Sequence, residues 1–151
     1  MDPCSDQPER VSARRVRVRL EGVLDRDQID QLRPKLLDAI DRLPRRGELL
    51  LDLVEVTECA IAACRALALV QRKVRASGAR TAYLTARARI HGAAWWIVHA
   101  SRDPHAMPVI HMDQAEQWLQ GDAQRLDELH ARSTRAIERA RHRCAQEGVE
   151  R

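Results

Sequence analysis

Hydrophobic and polar residues follow two different periods along this chain, and the two periods alternate. Residues 16–20 (Val-Arg-Val-Arg-Leu) alternate strictly, which predicts a strand with one buried face. Residues 49–53 are almost continuously apolar, as in a central strand that is covered on both faces. Between these strands the apolar residues recur at helical spacing, beginning with Ile29, Leu32 and Leu36.

Local signals predict where the helices begin and end. Asp25, with Gln28 three residues later, is a capping-box pattern and places the start of the first helix. Gly78 is placed to end a second helix, over residues 60–77, in the left-handed conformation. Further along, the pattern predicts a strand at 81–84, a helix at 89–99, a strand at 109–110 and a helix from about 113. This alternation predicts an α/β domain with a mixed, mostly parallel β-sheet flanked by helices.

The two ends of the chain differ from this alternating part. Residues 1–12 are polar and predict a flexible N-terminal tail, which leaves residues 13–120 for the α/β domain. Residues 121–151 form a C-terminal helical extension, in which a long charged helix at 122–147 carries a thin apolar stripe: Leu126, Leu129, Ile137, Ala140 and Cys144. There is no bilayer-spanning apolar run and no signal-peptide pattern, so we expect a cytoplasmic protein without membrane insertion.

Charge is distributed unevenly along the chain. The formal net charge is +4, but residues 59–102 carry eight basic and no acidic residues. Residues 21–58 carry ten acidic and six basic residues. One part of the fold should therefore present a positive face, suited to an acidic partner, a phosphate-bearing ligand or anionic lipid. The alternative is that these arginines only cover solvated helix faces.

Candidate catalytic, metal-binding and nucleic-acid-binding residues form no recognisable pattern. The six histidines lack the i, i+4 spacing of a helical zinc site, and Cys4, Cys59, Cys64 and Cys144 match neither a zinc site nor a CxxC motif. We therefore expect reduced thiols, no metal and no cofactor. No nucleophile–base pair is evident, so we predict no enzyme. Without a binding motif or aromatic stacking platform, we also expect no nucleic-acid partner.

Trp95 and Trp96 are adjacent in a chain that has 3% aromatic residues and no Phe. Neighbouring residues on a helix point about 100° apart, so we expect only one of the two in the core. The other is a candidate surface anchor for a partner. The alternative is that both pack beneath the C-terminal helix.

Three segments, in this order, resemble the STAS domain, the fold of bacterial anti-sigma factor antagonists and of the C-terminal domains of sulfate transporters. Residues 20–25 (LEGVLD) look like the strand end before the family's first helix. Residues 49–57 (LLLDLVEVT) look like its central strand, and residues 76–84 (ASGARTAYL) like its second helix exit. The resemblance covers roughly residues 14–120 and implies a STAS-like fold that acts by non-catalytic protein–protein contact.

The family's Asp-Ser-Ser-Gly motif at the start of the second helix is missing. By position it falls on residues 60–63, Ala-Ile-Ala-Ala, with Ile61 in the place of the serine. In the family, phosphorylation of that serine by an anti-sigma kinase turns partner binding off. Since Ile61 cannot accept a phosphate, the resemblance implies a module without the usual switch. Thr57 is a nearby alternative hydroxyl, and whether Ile61 is exposed or in the core stays open.

The resemblance places the partner-binding surface at the turn before the second helix and along its first turns. We predict that this surface comprises Thr57, Glu58, Ile61, Ala62, Arg65 and Arg72. The expected partner is a protein such as an anti-sigma factor or a related kinase. Two alternatives remain open: an accessory subunit that binds a subunit of a lipid or anion transporter, and a self-assembling scaffold, a homo-oligomer that dimerises through its C-terminal helix.

Overall fold

A five-stranded sheet with helices on both faces forms the centre of this computed structural model, which describes residues 8–11, 13–121 and 123–149. The strands are β1 (Glu9–Arg10), β2 (Arg15–Leu24), β3 (Glu48–Cys59), β4 (Arg80–Leu84) and β5 (Ala106–Val109). The helices are α1 (Arg26–Asp41), α2 (Ile61–Ser77), α3 (Ala88–Ser101), α4 (Met112–Leu119) and α5 (Ala123–Val149).

The strands lie in the sheet in their order along the chain. Strands β2 to β5 are parallel, and β1 pairs antiparallel with β2 at the edge. This arrangement confirms the predicted STAS-like α/β fold with its mostly parallel sheet and its extra C-terminal helix. Strand β1 falls inside the segment assigned to an N-terminal tail, of which residues 1–7 and 12 lie outside the described part.

Strand β3 is buried on both faces, as its apolar run predicts. Leu49, Leu51 and Leu53 join the core cluster that includes residues of α1, α2 and α3. Leu50 points the other way, into a smaller cluster with residues of β4, β5 and α4, including Trp118. A strand covered on both faces has no solvent side, which explains why its sequence does not alternate.

The strands beside the candidate surface are longer than the periodicity predicts. We expected a strand at residues 49–53 and a turn from Thr57, but β3 continues to Cys59 because β2 continues beside it as far as Leu24. The pairing register shifts around Gly22, which adopts φ +73°. A glycine tolerates this left-handed conformation, so β2 can bulge and stay paired with β3. Thr57 and Glu58 therefore lie in a strand, not in a turn.

Two predicted helix signals are confirmed. Asp25 caps α1, since its Oδ1 accepts a hydrogen bond from the Gln28 backbone N at 2.8 Å. Gly78 follows α2 with φ +74°, and its N donates to the carbonyl oxygen of Arg75. The short strand predicted at 109–110 was wrong in position: β5 lies at Ala106–Val109 because it pairs in register with β4.

A buried polar cluster attaches the middle of α2 to the sheet. Gln71 Nε2 donates to Thr81 Oγ1 at 3.0 Å and to Asp103 Oδ2 at 2.8 Å. The Tyr83 hydroxyl donates to Gln71 Oε1 at 2.6 Å. All four side chains are buried and hydrogen-bonded to one another, so the cluster determines how α2 is rotated and seated on β4.

Helix α5 is long, charged and largely exposed. Ile137 is 55% exposed, and Ala140 and Cys144 of the predicted apolar stripe are also exposed. The side chains of Leu126 and Leu129, which complete that stripe, lie outside the described part of the chain.

Across the residues that the structure describes, no helix combines the length and the apolar character that a membrane crossing requires.

The charged residues on the α4 side of the sheet form ion pairs. Asp52 is buried in the centre of β3, where it pairs with Arg17 and, at 3.4 Å, with Arg19 of β2. Its Oδ1 also accepts a hydrogen bond from the Val54 backbone N at 3.1 Å. Burial raises the pKa of Asp52. The hydrogen bonds from Arg17 and Val54 and the two guanidinium charges lower it by more than burial raises it, so the net pKa lies below its usual value.

We therefore predict that Asp52→Asn lowers the free energy of unfolding by about 1–3 kcal/mol at neutral pH. A carboxylate with a lowered folded-state pKa stabilises the fold above its unfolded pKa and loses that contribution as pH falls through the folded value. The difference in the free energy of unfolding between wild type and Asp52→Asn, measured with urea, should thus be largest at pH 7 and shrink below about pH 4. Asp38→Asn removes a solvent-exposed pair with Arg42 and serves as the control. An equal loss of stability in Asp52→Asn and Asp38→Asn would contradict the stabilising role of the Asp52 ion pairs.

Candidate partner-binding surface

The chain passes from β3 to α2 through a single residue, Ala60. Its backbone is extended (φ −66°, ψ 153°), and its N donates to the carbonyl oxygen of Leu24 at 2.8 Å. Helix α2 begins at the next residue, Ile61. Because β3 stays paired with β2 as far as Cys59, this one-residue connection gives the start of α2 little freedom to move.

One face of α2 is exposed and the opposite face is buried. With 100° of rotation per residue, Ile61, Arg65, Leu69 and Arg72 fall within one arc of less than a quarter turn. All four side chains are exposed, whereas Ala63, Cys64, Leu67, Ala68, Val70, Gln71 and Val74 face the core. Ile61 is 72% exposed, which decides the question that the sequence left open: its side chain lies outside the core.

All six predicted site residues are exposed, but they do not form one compact cluster. Thr57 and Glu58 lie at the end of β3, and Ile61, Ala62 and Arg65 follow in the first turns of α2. Arg72 lies about 16 Å from Ile61 along the helix axis. Its Nη2 donates to the carbonyl oxygen of Ala100 at the end of α3, at 3.2 Å. Arg72 therefore connects the exposed face of α2 to the neighbouring helix.

Three exposed residues extend this surface beyond the prediction. Leu69 is 47% exposed on the same arc of α2, eight residues after Ile61. Its helical spacing from Ile61 is a signal that could have identified it. Trp96 of α3, which packs against α2, is also 47% exposed, and Arg89 is exposed at the start of α3.

Neither tryptophan of the adjacent pair lies fully in the core. Trp95 is half-buried and donates from Nε1 to His91 Nε2 at 3.0 Å, while Trp96 is exposed. Both residues lie on the side of α3 away from the buried Ala94, Ile97 and Val98. Trp96, at 47% exposure, is the more exposed of the two.

A shallow cavity of about 290 Å³ lies beside the β3–α2 connection. Its lining combines the end of β3 with β2 and the start of α3: Val23, Thr57, Glu58, Cys59, Ala60, Arg89 and Ile90. Neither Val23 nor Arg89 is near Thr57 in sequence, so only the fold brings them together. The cavity wall therefore has one carboxylate, one guanidinium and several apolar groups.

The electrostatics of the surface are dominated by positive charge. Arg65, Arg72, Lys73, Arg75, Arg87, Arg89 and Arg102 are all exposed on the α2 and α3 segments. In the part of the chain that the structure describes, no side chain caps α2, and its first turn has no acidic residue. The positive end of the helix dipole is therefore not neutralised by a cap and adds to the arginine charges. Glu58 is the nearest acid in sequence.

The hydroxyl of Thr85 lies beside His91, but the hydrogen bonds of that histidine do not activate it as a nucleophile. Thr85 Oγ1 lies 2.8 Å from His91 Nδ1, but Trp95 donates to the other ring nitrogen, Nε2. The neutral ring must then keep its proton on Nδ1 and donate it to Thr85, so it cannot accept the threonine proton. Among the described residues, no group of His, Cys, Asp and Glu side chains is arranged to hold a metal ion.

Comparisons with known proteins agree with this fold. The family model described as "Mlab, STAS domain" matches residues 9–94, a span that contains every residue of the predicted site. No curated protein sequence matches the chain.

Two solved structures of SpoIIAA are similar in fold. The first, the anti-sigma factor antagonist SpoIIAA in its unphosphorylated form, gives a TM-score of 0.56 at 20% identity, covering 76% of this chain and 97% of that chain. The second, the Bacillus cell fate determinant SpoIIAA in its phosphorylated form, gives a TM-score of 0.55 at 18% identity, covering 74% and 96%.

The uncapped start of α2 leads to a stability prediction. Ala60 has the extended backbone of an N-cap residue, and a serine there can accept a hydrogen bond from a free amide of the first turn. Ala60→Ser should therefore raise the free energy of unfolding by about 1 kcal/mol in urea denaturation. Ala62→Ser, inside the helix and also exposed, should lower it by a few tenths of a kcal/mol, since serine is a weaker helix former than alanine. Stabilisation by Ala62→Ser and not by Ala60→Ser would contradict this helix start.

Proposed function

The chain belongs to the Mlab STAS domain family, and from this membership we propose that it is a non-catalytic regulatory module of the cytoplasm that binds a protein partner. The binding surface is the exposed face of α2 with the end of β3. It comprises Thr57, Glu58, Ile61, Ala62, Arg65 and Arg72, together with Leu69 and Trp96. We refer to these residues as the α2 surface.

The observation that carries this proposal is the exposure of Ile61. A large apolar side chain that is 72% exposed in the first turn of a helix contributes nothing to the core. Leu69 and Trp96, each 47% exposed, add further apolar area on α2 and on the neighbouring helix. Exposed apolar groups rimmed by charged side chains are typical of protein–protein interfaces, where a few such anchors contribute most of the binding energy.

The charge of the α2 surface indicates the chemistry of the partner. Ile61 is followed on its arc by Arg65 and Arg72, and residues 59–102 contain no acid. A complementary partner presents an apolar pocket with an acidic rim, which increases the association rate and disfavours basic competitors. An anti-sigma factor or related kinase, and a transporter subunit, are the two classes of protein that we consider.

We further propose that the usual serine switch does not operate in this chain. A phosphoserine adds about −1.5 to −2 charges to a helix start, which is enough to change a partner interface. Ile61 has no hydroxyl to phosphorylate. SpoIIAA, by contrast, has been solved in both an unphosphorylated and a phosphorylated form. In this chain, binding through the α2 surface is then controlled by something other than phosphorylation at that position.

A second candidate function, self-assembly through α5, is favoured by the exposed side chains of that helix. Ile137, Ala140 and Cys144 are spaced three and four residues apart, so they share one face, and all three are exposed. In this case light scattering should show a dimer for the wild type and a monomer for Ile137→Glu. A monomeric wild-type chain at micromolar concentration would remove this candidate.

The principal proposal predicts that Ile61→Glu and Arg65→Glu each weaken partner binding by more than about 10-fold. Ile61→Glu removes an apolar anchor, and Arg65→Glu reverses a rim charge. Arg45→Glu is the matched charge reversal: Arg45 is exposed in the loop before β3, at the opposite end of that strand. It should leave binding within about 2-fold of wild type.

The measurement is quantitative affinity purification from native lysate, followed by titration with the purified partner. The identity of the protein lost from both α2-surface variants, but retained by Arg45→Glu, distinguishes an anti-sigma factor or kinase from a transporter subunit. Equal recovery of the same partner by wild type, Ile61→Glu and Arg65→Glu would contradict the proposed surface.

A further inference from the structure

Cys59 and Cys64 lie side by side where β3 meets α2. Cys59 is the last residue of the strand, Cys64 lies in the first turn of the helix, and their Sγ atoms are 3.4 Å apart. Both thiols are free. This contact could not be predicted from the spacing of the two cysteines, because side chains five residues apart come together only when the chain reverses between them. Here Ala60 makes that reversal.

The pair is accessible to small molecules from one side. Cys59 is half-buried and forms part of the wall of the 290 Å³ cavity, together with Thr57 and Arg89. Cys64 is buried beneath it, at 8% exposure. A molecule of the size of hydrogen peroxide fits in this cavity beside Cys59, and the Cys64 sulfur lies 3.4 Å from the Cys59 sulfur.

The hydrogen bond between the two sulfur atoms gives the two thiols different pKa values. The hydrogen bond from the Cys59 S–H lowers the pKa of Cys64 to about 7, although burial acts in the opposite direction. The same hydrogen bond, together with burial and the negative charge of Cys64, raises the pKa of Cys59 well above its usual range. Cys64 also lies in the first turn of α2, where the positive end of the helix dipole favours a thiolate, so we assign Cys64 as the nucleophile of the pair and Cys59 as the hydrogen-bond donor.

We propose that Cys59 and Cys64 are a modification site: a hydroperoxide oxidises the pair to an intrachain disulfide, and this disulfide reshapes the first turn of α2. The Cys64 thiolate attacks one peroxide oxygen, the O–O bond breaks, and Cys64 becomes a sulfenic acid while hydroxide leaves. That hydroxide takes the proton of the Cys59 thiol, and the resulting Cys59 thiolate attacks the Cys64 sulfur, forms the S–S bond and displaces the second hydroxide. The thiol protons convert both hydroxides to water, so two thiols lose two electrons and one peroxide gains them.

The disulfide acts on the α2 surface because of what lies between the two cysteines. A disulfide requires its sulfur atoms to approach from the observed 3.4 Å to about 2.05 Å. Cys59 is held by its register with Leu24 of β2, and Cys64 is held in the core. Between them, Ala63 is also held in the core, whereas Ala60, Ile61 and Ala62 are exposed, so we assign the backbone adjustment to residues 60–62. This consequence rests on the proposed function, whereas the thiol chemistry does not.

The chemistry is tested in a full-length Cys4→Ser, Cys144→Ser chain, so that only the pair can react. After treatment with hydrogen peroxide, intact mass spectrometry should show a loss of about 2 Da that dithiothreitol restores, with no thiol left for alkylation. Cys59→Ser in this background should stop at a Cys64 sulfenic acid that dimedone traps. Sulfinic acid at Cys64 without a disulfide, disulfides between chains, or two thiols that stay free would each overturn the proposal.

The structural consequence is tested by hydrogen–deuterium exchange of the same chain, reduced and oxidised. Amide exchange in residues 60–64 should change several-fold on oxidation, while the strand segment of residues 48–56 stays as before. Unchanged exchange in 60–64 would overturn the reshaping of α2.

The outcomes also separate this inference from the proposed function. If the disulfide forms but Ile61→Glu leaves partner binding intact, the proposed α2 surface is wrong and the modification site stands. If binding depends on Ile61 but peroxide leaves both thiols free, the modification site is wrong and the α2 surface stands.

Discussion

The burial of β3 on both faces is the constraint on which the rest of this structure depends. Leu49, Leu51 and Leu53 pack toward α1, α2 and α3, and Leu50 packs toward α4. Each fully buried leucine stabilises the fold by about 1.5–3 kcal/mol, so this single strand contributes a large share of the hydrophobic driving force. It also tolerates one charge at its centre, Asp52, because Arg17 and Arg19 of β2 pair with that carboxylate. A strand held in this way gives a defined starting point to the helix that follows it.

The position of α2 follows from that strand and from two attachments of a different kind. At its start, Ala60 is the only residue between β3 and the helix, and it is hydrogen-bonded to Leu24. Near its middle, Gln71 is bonded to Thr81, Tyr83 and Asp103. Helix α2 is therefore held at its start and near its middle. The exposed face between these points is presented in a fixed orientation, which reduces the ordering cost of binding a partner.

The same junction explains how a chain without the family's serine could still be regulated. The connection from β3 to α2 is so short that Cys59 and Cys64 touch, and the residues between them include the exposed Ile61. The proposed chemistry at the two sulfur atoms acts on the segment where the resemblance to the family places its phosphorylated serine. The proposed control therefore replaces an added charge with a covalent constraint at the same place in the fold.

Much of this architecture could be predicted from the sequence, since local signals determine it. The alternation at Val16–Leu20, the apolar run of β3, the Asp25 cap and Gly78 each reflect a backbone requirement within a few residues. The end of β3 could not be predicted, because it depends on pairing with a bulged β2. Periodicity also did not decide between core and surface for Ile61, the first residue of its helix. The contact between Cys59 and Cys64 and the cavity that Arg89 joins depend on tertiary packing, which no local pattern encodes.

The most direct test of the central claim is hydrogen–deuterium exchange of the chain with and without its purified partner. The account predicts that protection on binding is concentrated in residues 57–72. Protection confined to α5 or to β1 and β2, with residues 57–72 unchanged, would contradict it.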